Sequence, residues 1–116
     1  MPHLILRHSS NLQQNDFKSF FIKAHELISR ILNVRISSCS SFVISHEQYV
    51  LGDGDDKDKV FIHLDVHIKP GNDSKYLQTT GKHLLELLQT YVVNQGLDST
   101  IKISVCLSEV SPYFYS

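Results

Sequence analysis

An α+β or α/β domain, with one four-stranded mixed sheet and two helices on a single face of it, is the fold this sequence predicts. Three observations carry that reading. The chain reads strand–helix–strand twice, over about residues 2–51 and 59–108, with a polar loop between the copies. Its helical segments repeat apolar residues at three–four spacing, and its strands alternate with a period of two. At 116 residues it has enough chain for one hydrophobic core, so residues 1–116 are expected to form a single domain.

The first strand is Pro2 to His8. It leads through Ser9-Ser10-Asn11 into a helix whose apolar face is Phe17, Phe20, Phe21, Ala24, Leu27, Ile28 and Ile31. A second strand is expected over roughly Arg35 to Ile44, continuing through Gln48 to Leu51. The loop Gly52 to Asp58 is a solvated turn and the boundary between the halves. In the third strand, Val60, Ile62, Leu64, Val66 and Ile68 alternate with Phe61, His63, Asp65 and His67.

Asn72-Asp73-Ser74 supplies side chains that accept hydrogen bonds from the first free N–H groups of a helix, expected from about Lys75 to Asn94. Its buried face is Leu77, Gly81, Leu84, Leu85, Leu88, Tyr91 and Val92, and Gly81 suggests close packing at mid-helix. The last strand is Ile101 to Leu107. Each helix is long enough for a right-handed crossover between parallel strands. With both helices on one face, the other face needs cover, and oligomerisation is a natural solution.

Composition excludes several function classes. With 11 Lys and Arg against 12 Asp and Glu, the formal charge is −1, which implies no pull toward nucleic acid or a membrane surface. The apolar stretch Leu4 to Leu6 is far shorter than a secretory segment, no run approaches the ~20 apolar residues of a membrane span, and a cytoplasmic location is expected. Cys39 and Cys106 form no CxxC pair and are expected to be reduced, buried thiols.

Pro2 is the candidate for chemistry. An initiator methionine before a small residue is commonly trimmed, which would leave a free secondary amine at the tip of a strand. Burial or nearby cations would disfavour its ammonium form and leave a nitrogen able to abstract a proton. The plainer alternative is a proline that merely begins a strand, where its missing N–H costs nothing.

Several stretches in order resemble one family: the start Met1-Pro2-His3-Leu4-Ile5, Phe61 to Ile68, the helical Thr80-Gly81-Lys82-His83-Leu84 and the ending Ser108-Glu109-Val110-Ser111-Pro112. Together they look like 5-carboxymethyl-2-hydroxymuconate isomerase, of the tautomerase superfamily, with 4-oxalocrotonate tautomerase and macrophage migration inhibitory factor as relatives. The resemblance implies a tautomerase-like homotrimer with the sheets facing inward, and Pro2 as general base once methionine is removed. It also implies a small-molecule substrate, an unsaturated 2-hydroxy or 2-keto acid, and a proton shift that needs no cofactor.

This chain departs from the family's pattern in its cations. Related isomerases would carry arginines on the second strand and in a Gly-Arg-Ser turn after the third, where they hold carboxylates. Here those places read Ser37-Ser38-Cys39-Ser40-Ser41-Phe42 and Gly71-Asn72-Asp73-Ser74. Neither serine nor asparagine replaces a bidentate charged partner, so a dicarboxylate substrate is not expected. The candidate substrate contacts are Lys69 at the end of the third strand, Arg35 at the start of the second and Ser40 in the serine-rich stretch. Arg7 is out of phase with Pro2 and should point to the opposite face. The tail from Pro112 to Ser116 either walls the pocket or covers a neighbouring subunit.

Metal binding is not expected from the seven histidines. His63 and His67 would be about 13 Å apart on a strand, and no carboxylate or cysteine completes a ligand set at obvious spacing. His3 has an ordinary role open to it, satisfying a backbone group. The acidic loop lacks the order of a calcium loop ending in glutamate. Two functions stay open: an isomerase working through Pro2, or a non-catalytic trimeric binding protein that has lost the carboxylate-binding arginines. A small-ligand sensory module is a third possibility.

Overall fold

A computed structural model describes residues 1–12, 16–55, 59–93 and 100–115. Its elements, in chain order, are β1 (His3–Ser9), α1 (Phe17–Leu32), β2 (Ser40–His46), β3 (Lys59–Ile68), α2 (Ser74–Val93) and β4 (Thr100–Glu109), with a 3-10 turn at Ile36–Ser38 before β2. The four strands form one sheet in the order β2-β1-β3-β4. β1 runs parallel to β2 and antiparallel to β3, and β3 runs parallel to β4, which makes the sheet mixed.

Alternation decides the two faces. Leu4 and Leu6 of β1, and Val60, Ile62, Leu64, Val66 and Ile68 of β3, are buried in one cluster with Phe20, Ala24 and Ile28 of α1 and Leu84, Leu88 and Val92 of α2. Both helices therefore cover the same face. Residues opposite this set in β4, from Ile101 to Leu107 at every second position, pack against the cluster more loosely at the sheet edge. The other face carries His3, Ile5 and Arg7 of β1 opposite His67, Asp65 and His63 of β3, and Ser40, Phe42 and Ile44 opposite them on β2.

The helix ends follow from local chemistry. Asp16 caps α1 by accepting from the Ser19 N–H at 3.2 Å, and Asn33 closes it in the left-handed conformation with φ of 55°. At α2, the Asp73 carboxylate accepts from the Lys75 N–H at 3.0 Å. Gly71, at φ of 106°, turns the chain from β3 toward this cap with a backbone angle that a side chain would strain.

Expectations for the second strand and for the cysteines need correction. The second strand begins later than Arg35, because Ser38 and Cys39 donate backbone bonds back to Arg35 and Ile36, each at 3.0 Å, and coil the chain into a turn. Gln48 to Leu51 is not strand: the chain bends at Glu47 and Gln48 after β2, then enters a tight turn in which the Gly54 N–H bonds the Leu51 carbonyl at 3.2 Å. Both cysteines are free, but Cys106 is exposed and Cys39 only half-buried. Cys106 sits opposite Asp65 on the face the helices leave open. The remaining elements match within a residue or two, and the expected end of α2 at Asn94 and the loop positions Asp56 to Asp58 lie outside the described residues.

A Cβ at Gly81 would meet Leu107 Cδ1 at 3.5 Å, an ordinary contact, so the glycine is not required by close packing. Replacing Gly81 with alanine is expected to stabilise the fold by about 0.5–1 kcal/mol, the usual helix-interior difference, read from urea unfolding. His25 of α1 ties to the edge strand, with Nε2 at 2.6 Å from Ser41 Oγ, and burial lowers its pKa from the ordinary 6.5. Because the unfolded chain takes up that proton first, stability is full above the ordinary value and is lost as pH falls through it. Urea midpoints should drop between about pH 7.5 and about pH 5.5, and His25→Gln should flatten that drop.

Candidate functional site

The order of the sheet decides what meets Pro2. β1 is central, so its N-terminal tip lies beside the start of parallel β2 and the end of antiparallel β3. β4 ends beside β3, with the Val110 N–H donating to the Ile68 carbonyl at 2.8 Å. Ser40, Ile68, Lys69 and Val110, remote in sequence, thereby converge on one end of the molecule. Pro2 extends the ladder without an N–H of its own: its carbonyl accepts from the Ser40 N–H at 3.1 Å.

Pro2 is buried and opens on a narrow cleft of about 40 Å³ walled by Leu32, Val34 and Ile68, with Lys69 and Asn72 at its polar side. Asn72 Nδ2 donates to the Lys69 carbonyl at 3.3 Å, which holds the turn carrying the lysine. Met1 lines this cleft and also a larger one, of about 370 Å³, on the open sheet face. Met1, bonded to the Pro2 nitrogen, is thus common to the two clefts, while Pro2 itself lines only the smaller one.

The larger cleft is lined by His3, Ile5, Phe42, His67, Val110 and Phe114 as well as Met1, and its surface is almost wholly apolar. His3 Nδ1 is hydrogen-bonded to Ser40 Oγ, and its ring lies 6.1 Å from that of Phe114. Burial, then the positive chain terminus, then His67 hold the His3 imidazole below its ordinary 6.5, favouring the neutral ring. Burial likewise pushes the nearby Cys39 thiol up, with the chain terminus opposing.

Of the three sequence-derived contacts, Lys69 and Ser40 come to Pro2 and Arg35 does not. Lys69 shares the cleft of Pro2, and Ser40 bonds both its carbonyl and the neighbouring His3. Arg35 is exposed ahead of the 3-10 turn and lines neither cleft, because that turn intervenes between it and β2. Arg7 is on the open face, away from Pro2, where its Nη1 lies 3.3 Å from His46 Nε2 and its Nε 4.0 Å from Asp65.

Sequence reasoning missed Phe42, His67 and Val110 as lining residues, and His3 bonds a side chain rather than the backbone group assigned to it. His67 was legible in principle: it has the same parity as Asp65 and His63, and pairing with His3 follows once β3 is known to run antiparallel to β1. The sequence also did not disclose a polar chain across the open face. Ser104 Oγ is 2.6 Å from His63 Nδ1, and His63 Nε2 is 3.0 Å from Asp65, which faces Arg7 and, through it, His46. Among the described residues no group of three or more His, Cys, Asp or Glu could hold a metal ion, and no helix is long and apolar enough to cross a membrane.

The fold recurs in solved proteins. A 5-carboxymethyl-2-hydroxymuconate isomerase from Deinococcus radiodurans R1 superimposes with a TM-score of 0.88 at 20% identity, over 99% of this chain and 87% of that one. A 5-carboxymethyl-2-hydroxymuconate delta-isomerase gives 0.84 at 11% identity, over 100% and 87%. A fused 4-OT wild-type symmetric trimer gives 0.73 at 11%, over 94% and 85%. At these identities the structures speak for the fold alone. No curated protein sequence matches significantly. The sequence itself matches a family over residues 2–115, nearly its whole length, so the tautomerase-like architecture with Pro2 at the tip of its central strand belongs to a member of the 5-carboxymethyl-2-hydroxymuconate isomerase family.

Proposed function

We propose that this protein is a cofactor-independent tautomerase that uses Pro2, freed of Met1, as its general base. The observation that carries the reading is the setting of Pro2: buried among Leu32, Val34 and Ile68, with Lys69 on the same cleft. In such a setting an amine favours its neutral, proton-accepting form, because both low polarity and a neighbouring cation oppose the ammonium. The nitrogen takes a proton from one position of an unsaturated 2-hydroxy or 2-keto acid and returns it at a conjugated carbon. Lys69 holds the carboxylate, and His3, on the larger cleft and hydrogen-bonded to Ser40, serves the enol or keto oxygen.

The working form in this proposal is a homotrimer, the assembly named for one of the structural relatives. The open sheet face, with Phe42 and Ile44 exposed at 53% and 38%, is the surface such an assembly would cover. A non-catalytic binding protein is the second reading, favoured by one observation: Lys69 is the only Lys or Arg lining either cleft among the described residues.

Intact-mass measurement on protein expressed without a tag should show loss of Met1. The same sample should ketonise phenylenolpyruvate or 2-hydroxymuconate, followed by ultraviolet absorbance. Pro2→Ala should lower kcat by about 10²–10⁴-fold, the range for a lost general base. Retained Met1, or a free Pro2 with no turnover of either compound, would support the binding role. Lys69→Met should act mainly on KM, raising it about tenfold, since the carboxylate is bound alike in the ground and transition states.

A further inference from the structure

We infer that Asn72 is a positioning residue: by holding the Lys69 carbonyl it keeps that lysine on the Pro2 cleft, where the ammonium sets how readily Pro2 takes a proton. This rests on the proposed role of Pro2 and adds to it the device that aims the cation.

The turn from β3 to α2 is fixed at both ends. At its start the Ile68 carbonyl accepts from the Val110 N–H at 2.8 Å. At its finish the Asp73 carboxylate accepts from the Lys75 N–H, and the Asp73 carbonyl from the Tyr76 N–H, each at 3.0 Å. Between them, Pro70 has no N–H to give, and Gly71, at φ of 106° with open space where a Cβ would stand, permits the turn without bracing it. Among the described residues no backbone hydrogen bond joins Lys69 to Asn72. The Asn72 carboxamide closes the turn instead, Nδ2 donating to the Lys69 carbonyl at 3.3 Å.

Lys69 depends on that closure. It is exposed, and among the described residues its ammonium has neither an ion pair nor a hydrogen bond to hold it. What brings it to the cleft is the direction in which its side chain leaves the backbone. The following proline restricts the Lys69 backbone on one side, and Asn72 fixes the carbonyl. An ammonium so held beside an apolar cleft opposes a second positive charge on Pro2. With Asn72 cut back to alanine the lysine is free to turn to solvent, and the Pro2 ammonium forms more easily.

The test reads the Pro2 nitrogen itself, independently of turnover. Protein labelled with 15N-proline is treated with methionine aminopeptidase, verified by mass to begin at Pro2, and titrated by NMR. Lys69→Met should raise the Pro2 midpoint by about 0.5–1 pH unit. Asn72→Ala should raise it by about half as much or more, and should add nothing in the Lys69→Met background. The other titratable groups at this end, His3 of β1, Cys39 ahead of β2, His67 of β3 and Asp73 of the turn, are the same in every variant. In kinetics, the acid limb of kcat/KM for Asn72→Ala should move up with the Pro2 midpoint, and KM should rise about threefold.

An unmoved Pro2 midpoint in Asn72→Ala overturns the inference. So does an equal shift in the Lys69→Met background, because Asn72 would then act without the lysine. The two readings fail separately. Coupled shifts without turnover remove the tautomerase and leave the arrangement of Asn72, Lys69 and Pro2 standing, whereas turnover without the coupling removes only the role of Asn72.

Discussion

The position of β1 governs this molecule. Leu4 and Leu6 are fully buried beneath both helices, and the strand pairs on one side with β2 and on the other with β3. A strand so placed cannot slip by one residue, since a slip would turn Leu4 and Leu6 to the open face and bring His3, Ile5 and Arg7 into the core. That constraint is what fixes the place of the buried residue at the strand's tip. Pro2 is the continuation of the best-anchored element in the fold, and the neighbours it acquires are dictated by where β2 begins and where β3 and β4 end.

Much of this was readable from residue order. The alternation in β3 from Val60 to Ile68 is uninterrupted, and the three–four spacing from Phe17 to Ile28 leaves no competing assignment. The serine-rich stretch after Arg35 reads as part of the second strand, yet backbone bonding coils Ile36–Ser38. This is a choice between local bonds and a sheet edge that composition does not decide. Arg35 left the candidate site for the same reason. The partners of His3 and the aromatic wall at Phe42 and Phe114 depend on strand order and direction, which no single segment encodes.

The two sheet faces divide the work of the protein. The helix-covered face is a conventional apolar core, and described buried side-chain polar atoms all have partners. The open face is polar at its middle and apolar at the end near Pro2. From Ser104 on β4, through His63 and Asp65 on β3 and Arg7 on β1, to His46 on β2, side-chain contacts cross the whole sheet. Two of these links are long, and all members are partly exposed, so in an isolated subunit they add little stability. Their value rises where the surface is withdrawn from water, because satisfied polar contacts then become required and an unmatched surface is penalised.

The edge strand β2 bonds to β1 on one side only and presents Phe42, Val43 and Ile44, all more than a third exposed, in one short run. A bare ladder with β-branched and aromatic side chains is a template for adding another strand from any unfolded chain. No proline interrupts it, and none of its seven residues is a lysine or a carboxylate. An isolated subunit is thus a sticky species, which this edge inclines to aggregate even while its core is intact.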